Sequence, residues 1–584
     1  MIQETTIQDK EKSLELLASN SQLLAPTMYQ VITLNSTARL LSLLDRNPYS
    51  KTHGSFSRNY WHYKILADSP SSTDQQGVLA LSCIYLLNLK SNNFYLNSNL
   101  LDPIEASIYY WTKLQSKDGS FSEWYPNEHS HVATAFTSYA ISESLLLLKD
   151  KINVKILEKA TSSLKKSGDW LNKNIDTTAL NHTAGAVAAL YNIYLLTGEK
   201  IYLEVCHKNL NTLIGLQDKE GWFPEYGNAD PGYLGVSIDY LAKYWHKSKD
   251  PIAEQSLKKA LDFLIWFYLE NSKTTGGEFG WRNVKYMLPH GLALLSEKFE
   301  SAKYLESNLR ASLKQDLSIN PNSVDDRYFL FFHYPNYAQA SLLEPKEVDF
   351  SSIRPKTFLK IFSSSGLVSC KQENYHLITN LKKEGILKLE LRDSILSDCG
   401  YFTKIKSSNK ILSTQTTSKI EQLETNEELP FTAQIKTNFI ELKPTKPASL
   451  ILFRLFNFTF GKSALFMKFF NNYIKENFIY QTKEFNIPLT LERSIFLDSN
   501  KIIIEDQMIC EDKKLKLEKL SIEPSLSLMH VPTSKYFHFS DLNSDSDFNP
   551  SNLAEPFNKN NKITVKRIVD LNQSKPNIEL IVTM

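Results

Sequence analysis

Cysteine is scarce in this sequence. The five present, Cys83, Cys206, Cys370, Cys399 and Cys510, are scattered, with no Cys-x-x-Cys pair. An odd, sparse set excludes a disulfide framework and a cysteine-based structural zinc site. Charge of one sign is also lacking: Lys plus Arg is 66 against 64 for Asp plus Glu, a net of +2. That balance leaves no electrostatic footprint for nucleic acid. No long hydrophobic run exists either. The greasiest stretch, 450–480, is interrupted by Arg454, Lys462, Lys468 and Lys475, which excludes a membrane span. The first residues carry no basic segment followed by an apolar one, so no secretory signal is visible and a cytoplasmic location is expected.

Two further absences divide the chain. All eight tryptophans lie at or before Trp281, and only five of nineteen glycines follow it. A chain of 584 residues is too long for one core, and 42% hydrophobic with 22% charged residues is ordinary globular composition. Up to about Leu343 the apolar spacing is i, i+3, i+4, as in 133–148 and 252–269, which predicts helices. From 356 the period becomes two: 356–362, 376–381, 386–391, 439–442, 502–506, 514–522, 563–569 and 578–582 read as strands. The expected domains are 1–345, helical, and 356–584, antiparallel β, joined by a linker at about 344–355.

The helical half repeats. Five times a polar, often His-bearing opening precedes a helix of small and apolar residues. With Gln76, His131, His182, Tyr233 and His290 as markers, the steps are 55, 51, 51 and 57 residues. A period near 50 means stacked helix pairs, and 29–44 reads as an earlier member. If the pairs close into a toroid, the small-residue helices form the inner ring and their N-termini face one end. Gln76, His129, His131, Asn181, His182, Tyr233 and His290 would then surround one cavity, whose helix N-termini favour an anionic ligand. The third opening is the most suggestive. Asn181 and His182 start a helix that Thr183 can cap, while Ala184, Gly185 and Ala188 allow a close approach.

Two Gly turns, 115–121 and 217–223, precede inner helices and share Gln-x-x-x-Gly followed by aromatics. Their Gln and Gly positions read as turn stabilisers. The residues just after them, Glu123, Tyr125, Glu225 and Tyr226, would line the cavity mouth. Aromatic rings there suit the apolar faces of sugars, and carboxylates suit their hydroxyls.

Residues 54–64 (Gly-Ser-Phe-Ser-Arg-Asn-Tyr-Trp-His-Tyr-Lys), 125–132 (Tyr-Pro-Asn-Glu-His-Ser-His-Val), 181–183 (Asn-His-Thr), 224–233 (Pro-Glu-Tyr-Gly-Asn-Ala-Asp-Pro-Gly-Tyr) and 280–283 (Gly-Trp-Arg-Asn) resemble heparinase II/III-type polysaccharide lyases. Residues 364–369 and 396–401 resemble the opening strands of that family's second domain. The resemblance implies an incomplete α/α toroid followed by an antiparallel β-sandwich, and β-elimination at a uronic acid of an acidic polysaccharide. Elimination needs a group that neutralises the uronate carboxylate, a base for the α-proton, and an acid for the departing oxygen. The resemblance implies Asn181, helped by Arg282, for the first role. It implies His182 or His131 for the second, since histidine titrates near neutrality, and Tyr233 or Tyr226 for the third. Arg58, Trp61, Tyr63, Gln75, His129, Glu225, Asn283 and His290 would line the subsites. The family pattern adds a histidine from the β-domain, for which His376 is the nearby candidate.

No cofactor is expected, and elimination requires no metal, although His129, His131 and His182 would be the residues to meet around one. His290, after Pro289, also reads as a first-turn residue, and Arg58 as a partner of Asp68. Residues 324–328 read as a solvated helix start, and 450–480 as a buried hairpin plus an amphipathic helix. Two other functions fit a toroid: glycosidic hydrolysis using two of Glu123, Glu128, Glu225, Asp230 and Asp239, and non-catalytic glycan binding in a polysaccharide assembly pathway.

Overall fold

The computed structural model describes residues 26–270, 276–282, 284, 287–343, 353–424, 428–442, 447–463, 466–467, 470, 487–525, 533–534, 545–573 and 576–584. In chain order its first principal helices are α1 (Met28–Leu43), α2 (Gly77–Leu86), α3 (Ser98–Leu114), α4 (His131–Leu148), α5 (Val154–Lys173) and α6 (Leu180–Thr197). They continue as α7 (Lys200–Gly215), α8 (Pro231–Ser248), α9 (Pro251–Leu264), α10 (Pro289–Leu295), α11 (Glu300–Lys314) and α12 (Tyr334–Ala340).

The two kinds of helix differ because their sequences do. Odd-numbered helices carry one apolar stripe; α5 buries only Ala160, Ser163, Leu164, Ser167, Gly168, Trp170 and Leu171. Even-numbered helices are apolar nearly all round and sit inside; every residue from Pro231 to Trp245 of α8 is buried. Small residues let the inner helices approach: a Cβ on Gly185 would lie 2.3 Å from the Phe136 ring of α4. Each inner helix packs on the next, and α12 returns to α2, closing a ring of six. The sixth member has no counterpart among the five openings read from the sequence. It follows an irregular turn at Phe329–His333, where Phe332 takes φ 64°, and that turn hides the repeat.

The described residues from 353 onward are mainly antiparallel β. Strands β1 (Phe358–Phe362), β2 (Leu367–Lys371), β3 (Tyr375–Asn380), β4 (Ile386–Leu391) and β5 (Ile395–Asp398) form a five-stranded meander. Next come β6 (Tyr401–Ile405), β7 (Ile411–Ser413), β8 (Lys419–Glu424), β9 (Phe431–Asn438) and β10 (Ile440–Glu441), then helix α13 (Pro447–Phe458). Strands β11 (Leu489–Leu497), β12 (Lys501–Cys510) and β13 (Leu517–Ile522), helix α14 (Ala554–Asn560), and β14 (Lys562–Asp570) and β15 (Asn577–Thr583) finish the chain. A six-stranded sheet, β15-β14-β12-β11-β9-β8, packs one face on the meander through Ile435, Ile495 and Ile504 against Val368, Leu377 and Leu389. The same face meets the four-stranded sheet β10-β7-β6-β13 through Leu491, Met508 and Ile563. This is the expected sandwich. The period of two is clean in β11, β12 and β14, which bury alternate residues. It fails in β3 and β4, buried on both faces, because Ile378 and Ile386 turn away from the sandwich into the helical core.

The sheets also grip the helices by hydrogen bonds. Asn380 Nδ2 donates to the Phe279 carbonyl (2.6 Å), and Lys383 Nζ to those of Gly280 (2.6 Å) and Glu278 (3.1 Å). Ser364 Oγ donates to Asp218 Oδ2 (2.6 Å) in the second Gln-x-x-x-Gly turn. The expected buried hairpin within 450–480 is corrected in its described part. Helix α13 leaves Leu450, Ile451, Leu452 and Leu455 exposed, and residues 471–486 lie outside the described residues. Its other face covers loop 124–128: Phe453 meets the Tyr125 ring edge-on at 4.8 Å, and Asn127 Nδ2 donates to the Asn457 carbonyl (3.2 Å). Arg454, not Arg58, pairs with Asp68 (3.0 Å). Among the described residues no helix is long and apolar enough to cross a membrane.

Candidate active site

The N-termini of α4, α6 and α8 open at one end of the ring, and their first residues build the site. At α6 a loop carboxylate fixes the geometry. Asp176 Oδ1 accepts the Thr178 N–H (2.9 Å), the Thr178 hydroxyl (2.7 Å) and the Ala179 N–H (3.3 Å). That leaves Oδ2 for His182 Nδ1, at 2.9 Å. Thr183 does not cap the helix as expected; the N-cap is Ala179, and the Thr183 hydroxyl donates to the Asp176 carbonyl (2.6 Å). The His131 ring, first in α4, stacks on the His182 ring at 6.3 Å and lies 6.1 Å from Trp170. One ligand atom each from His131, Asp176 and His182 falls within 4.8 Å of the others.

Asn181 is buried and donates through Nδ2 to Glu225 Oε2 (2.6 Å). Burial pushes the Glu225 carboxyl well above its ordinary range, although the Arg282 charge pulls it down. Arg282 arrives on the loop that Lys383 holds. Its N–H donates to Asp230 Oδ2 (2.6 Å), while Asp230 Oδ1 caps α8 by accepting the Tyr233 N–H (2.9 Å). Burial opposes the Arg282 charge, but Tyr233, Tyr226, Glu225 and Tyr328 around it more than offset that and hold its pKa above the usual value. The guanidinium lies over the Tyr226 ring at 5.3 Å. The structure therefore brings together Asn181, His182, His131, Glu225, Tyr226, Tyr233 and Arg282.

A second guanidinium adjoins them. Arg327 pairs with Glu123 and lies 3.4 Å from the centre of the Trp124 ring. Beside it Tyr328 is buried, and that burial pushes its phenol up to about 12 while the charges of Arg327 and Arg282 pull it down. This corrects the reading of 324–328 as a solvated helix start. Asp325 does cap that turn by accepting the Tyr328 N–H (2.9 Å), and Asp326 is exposed, but the next two side chains turn into the mouth. Local sequence offered no signal for Arg327, which meets its partner 204 positions away. Asp176 carried one: an Asp two residues before Thr178 at a helix entry is a turn-forming residue with an oxygen to spare.

Other expected site residues fall elsewhere. Gln75 is fully buried and braces backbone, taking the Phe56 N–H (3.0 Å) and donating to the Gly54 (3.0 Å) and Ser107 (3.1 Å) carbonyls. His129, at φ 53°, turns to the Gly119 turn, where Nδ1 meets Asp118 Oδ2 (2.8 Å) and Ser120 Oγ (2.7 Å). Arg58 and Trp61 reach the Ser42 (3.2 Å) and Leu43 (3.0 Å) carbonyls at the end of α1, and exposed Tyr63 follows them. His290 is buried below the mouth. Its neighbour Gly291 donates to Asp239 (2.8 Å), eight residues into α8 and so about 12 Å along the axis. Burial beside Lys243 holds the His290 imidazole neutral, well below its ordinary pKa. His376 is buried on β3 against Ser369 (3.1 Å) and Phe358, apart from this cluster. Asn283 lies outside the described residues.

No family model and no curated protein sequence matches the chain. In structure it is similar to heparinase III over 96% of this chain and 82% of that one, at 10% identity and a TM-score of 0.48. It is similar to a Paenibacillus xanthan lyase over 85% of this chain and 46% of that one, at 10% identity and a TM-score of 0.48. It is also similar to the chondroitin AC lyase of Streptomyces coelicolor A3, over 85% and 71% at 10% identity, TM-score 0.48. The chain spans less than half the length of the xanthan lyase chain it matches.

Proposed function

We propose that the mouth is a β-elimination site for a uronic-acid-containing polysaccharide, and that the chain is a lyase. The observation that carries the reading is convergence. Segments 125–132, 181–183, 224–233 and 280–282, far apart in sequence, supply one cluster holding a guanidinium, an amide, two phenols and an oriented imidazole. All of it falls within 1–345, the proposed helical domain.

In this reading the uronate carboxylate lies against Arg282 and the Asn181–Glu225 pair. Burial raises the Glu225 carboxyl well above its ordinary range, which weakens its repulsion of a uronate. His182, oriented by Asp176, takes the C5 proton. The electron pair left on C5 forms the C4–C5 double bond as the C4–O bond breaks, and the phenolic proton of Tyr233 goes to the leaving oxygen. Arg282, beside Tyr233, steadies negative charge as it develops. Hydrolysis by two free carboxylates is less well supported. Asp230 accepts two backbone N–H groups, Glu128 accepts two, Glu123 pairs with Arg327 and Asp239 with Lys243.

The test is a panel of uronate polymers followed by ultraviolet absorbance, since elimination creates an unsaturated uronate and hydrolysis does not. A rise in absorbance is expected with at least one polymer. His182→Ala should cut turnover by about a thousandfold, the scale of a lost general base, with glycan affinity nearly intact. Silence on every acidic glycan would sink the proposal, and retained affinity alone would identify a glycan-binding protein.

A further inference from the structure

We propose that His131, Asp176 and His182 bind a divalent zinc ion, and that the ion switches the elimination off by occupying His182. Two imidazoles and one carboxylate are a donor set suited to zinc, whose three protein ligands plus water make a tetrahedral site. The donor atoms already lie within 4.8 Å of one another. Zinc–ligand bonds of about 2.0–2.2 Å place donors about 3.3 Å apart, so small side-chain rotations complete the site. His182 Nδ1 and Asp176 Oδ2 stand at 2.9 Å before any such change.

The supports are rigid. His131 and His182 stand in the first turns of two packed inner helices, and Asp176 is fixed by Thr178, Ala179 and Thr183. Such outer contacts orient metal ligands and hold their geometry. The His182 side chain is 15% exposed, so an ion can enter from its side and water can complete the coordination. The expected histidine trio is altered in one member. His129 is engaged by Asp118, and a carboxylate takes its place. An ion held by His182 removes the lone pair that would accept the substrate proton. The regulatory half of the proposal rests on the elimination reading; the binding half does not.

The full-length chain, stripped with a chelator, would be titrated with zinc by calorimetry and with cobalt by absorption spectroscopy. One equivalent should bind, with the intense visible bands of tetrahedral cobalt. His131→Ala and Asp176→Asn should each weaken binding at least about tenfold, while His207→Ala, exposed on α7, should not. Circular dichroism establishes that each variant is folded. Absence of binding, or affinity unchanged in both site variants, overturns the site. Turnover of the responsive polymer should fall with the same midpoint as zinc binding and return with chelator. Zinc bound at full turnover overturns the switch. An apo protein inert on every polymer overturns both the elimination reading and the switch, and leaves the calorimetric result to stand.

Discussion

Glu128 lies in the loop between Trp124 and α4, where one carboxylate oxygen accepts two backbone N–H groups, from Glu123 (2.6 Å) and Trp124 (2.8 Å). Those bonds favour its charged form, yet burial, with the Glu123 charge, pushes the carboxyl up to about 8. Burial likewise raises Glu384 to about 8 and Asp74 to about 6. For a raised carboxyl, full stability holds below the unfolded pKa of about 4.5 and is lost as pH climbs towards the folded value. Buried histidines act in the opposite sense. His333, lowered to about 3 by burial, disfavours folding only where the unfolded imidazole is charged, below about 6.5. Above about pH 7.5 the unfolded imidazoles are neutral as well and the raised carboxyls set the slope, so the thermal midpoint should fall between about pH 7.5 and 8. Glu128→Gln, which keeps the oxygen acceptor and cannot ionise, should flatten the fall. Equal slopes for both proteins in a pH series of melting curves would show that Glu128 is not its source.

At the scale of elements, the Gly turns act as spacers between inner and outer helices. Gly119 (φ +96°) and Gly221 (φ +108°) press on outer-helix backbone, where a Cβ would lie 2.2 Å from the Lys166 and Lys259 carbonyl oxygens. Gln115 and Gln217 tie the same turns to the same helices, donating to the carbonyls of Ser163 (2.8 Å) and Ser256 (3.1 Å). Gly119→Ala should cost about 2–4 kcal/mol, combining a left-handed backbone with a clash that only backbone movement relieves. Gly198, which ends α6 at φ +72° with nothing within 4 Å, gives the strain alone, and Gly198→Ala should cost about 1 kcal/mol. Denaturant unfolding of the two variants separates these terms. Equal losses would mean that the close approach of Gly119 contributes nothing.

For the molecule as a whole, the helical core does not stop at the last helix. Leu367, Ile378 and Ile386 from the meander belong to it, and Lys383 and Asn380 hold the loop that delivers Arg282. The sheets also contain a fully buried charge network, in which Arg493 and Arg567 share Asp398 and Asp506 at 2.6–2.9 Å. Removing one member of such a network strands buried charge and costs about 3–5 kcal/mol. Every tryptophan belongs to the helical half, so tryptophan fluorescence reports helices while far-ultraviolet dichroism reports both parts. The shared core predicts one cooperative transition by both probes, and Asp506→Asn should lower both midpoints together. A fluorescence transition that ignores Asp506→Asn would show that the two parts unfold independently.

Local physical rules made much of this legible in the sequence. Apolar spacing separated stripe-bearing outer helices from all-apolar inner ones. The change of period marked the sheets, and the recurrence of openings placed Asn181, His182, His131 and Tyr233 at one end. These features are written in neighbouring residues, a turn or a strand at a time. Strands β3 and β4 were recognisable, but not their burial on both faces, because the second face is supplied by helices elsewhere in the chain. His290 shared the repeat yet lies deep in the ring, since the axial offset of α10 is a packing outcome. Arg327 looked solvated because nothing near it in sequence shows that ring closure brings it to Glu123 and Trp124. The sequence by itself determined which segments could line a toroid; only tertiary packing decided which side chains meet in its mouth, because that depends on helix offset and closure between residues hundreds of positions apart.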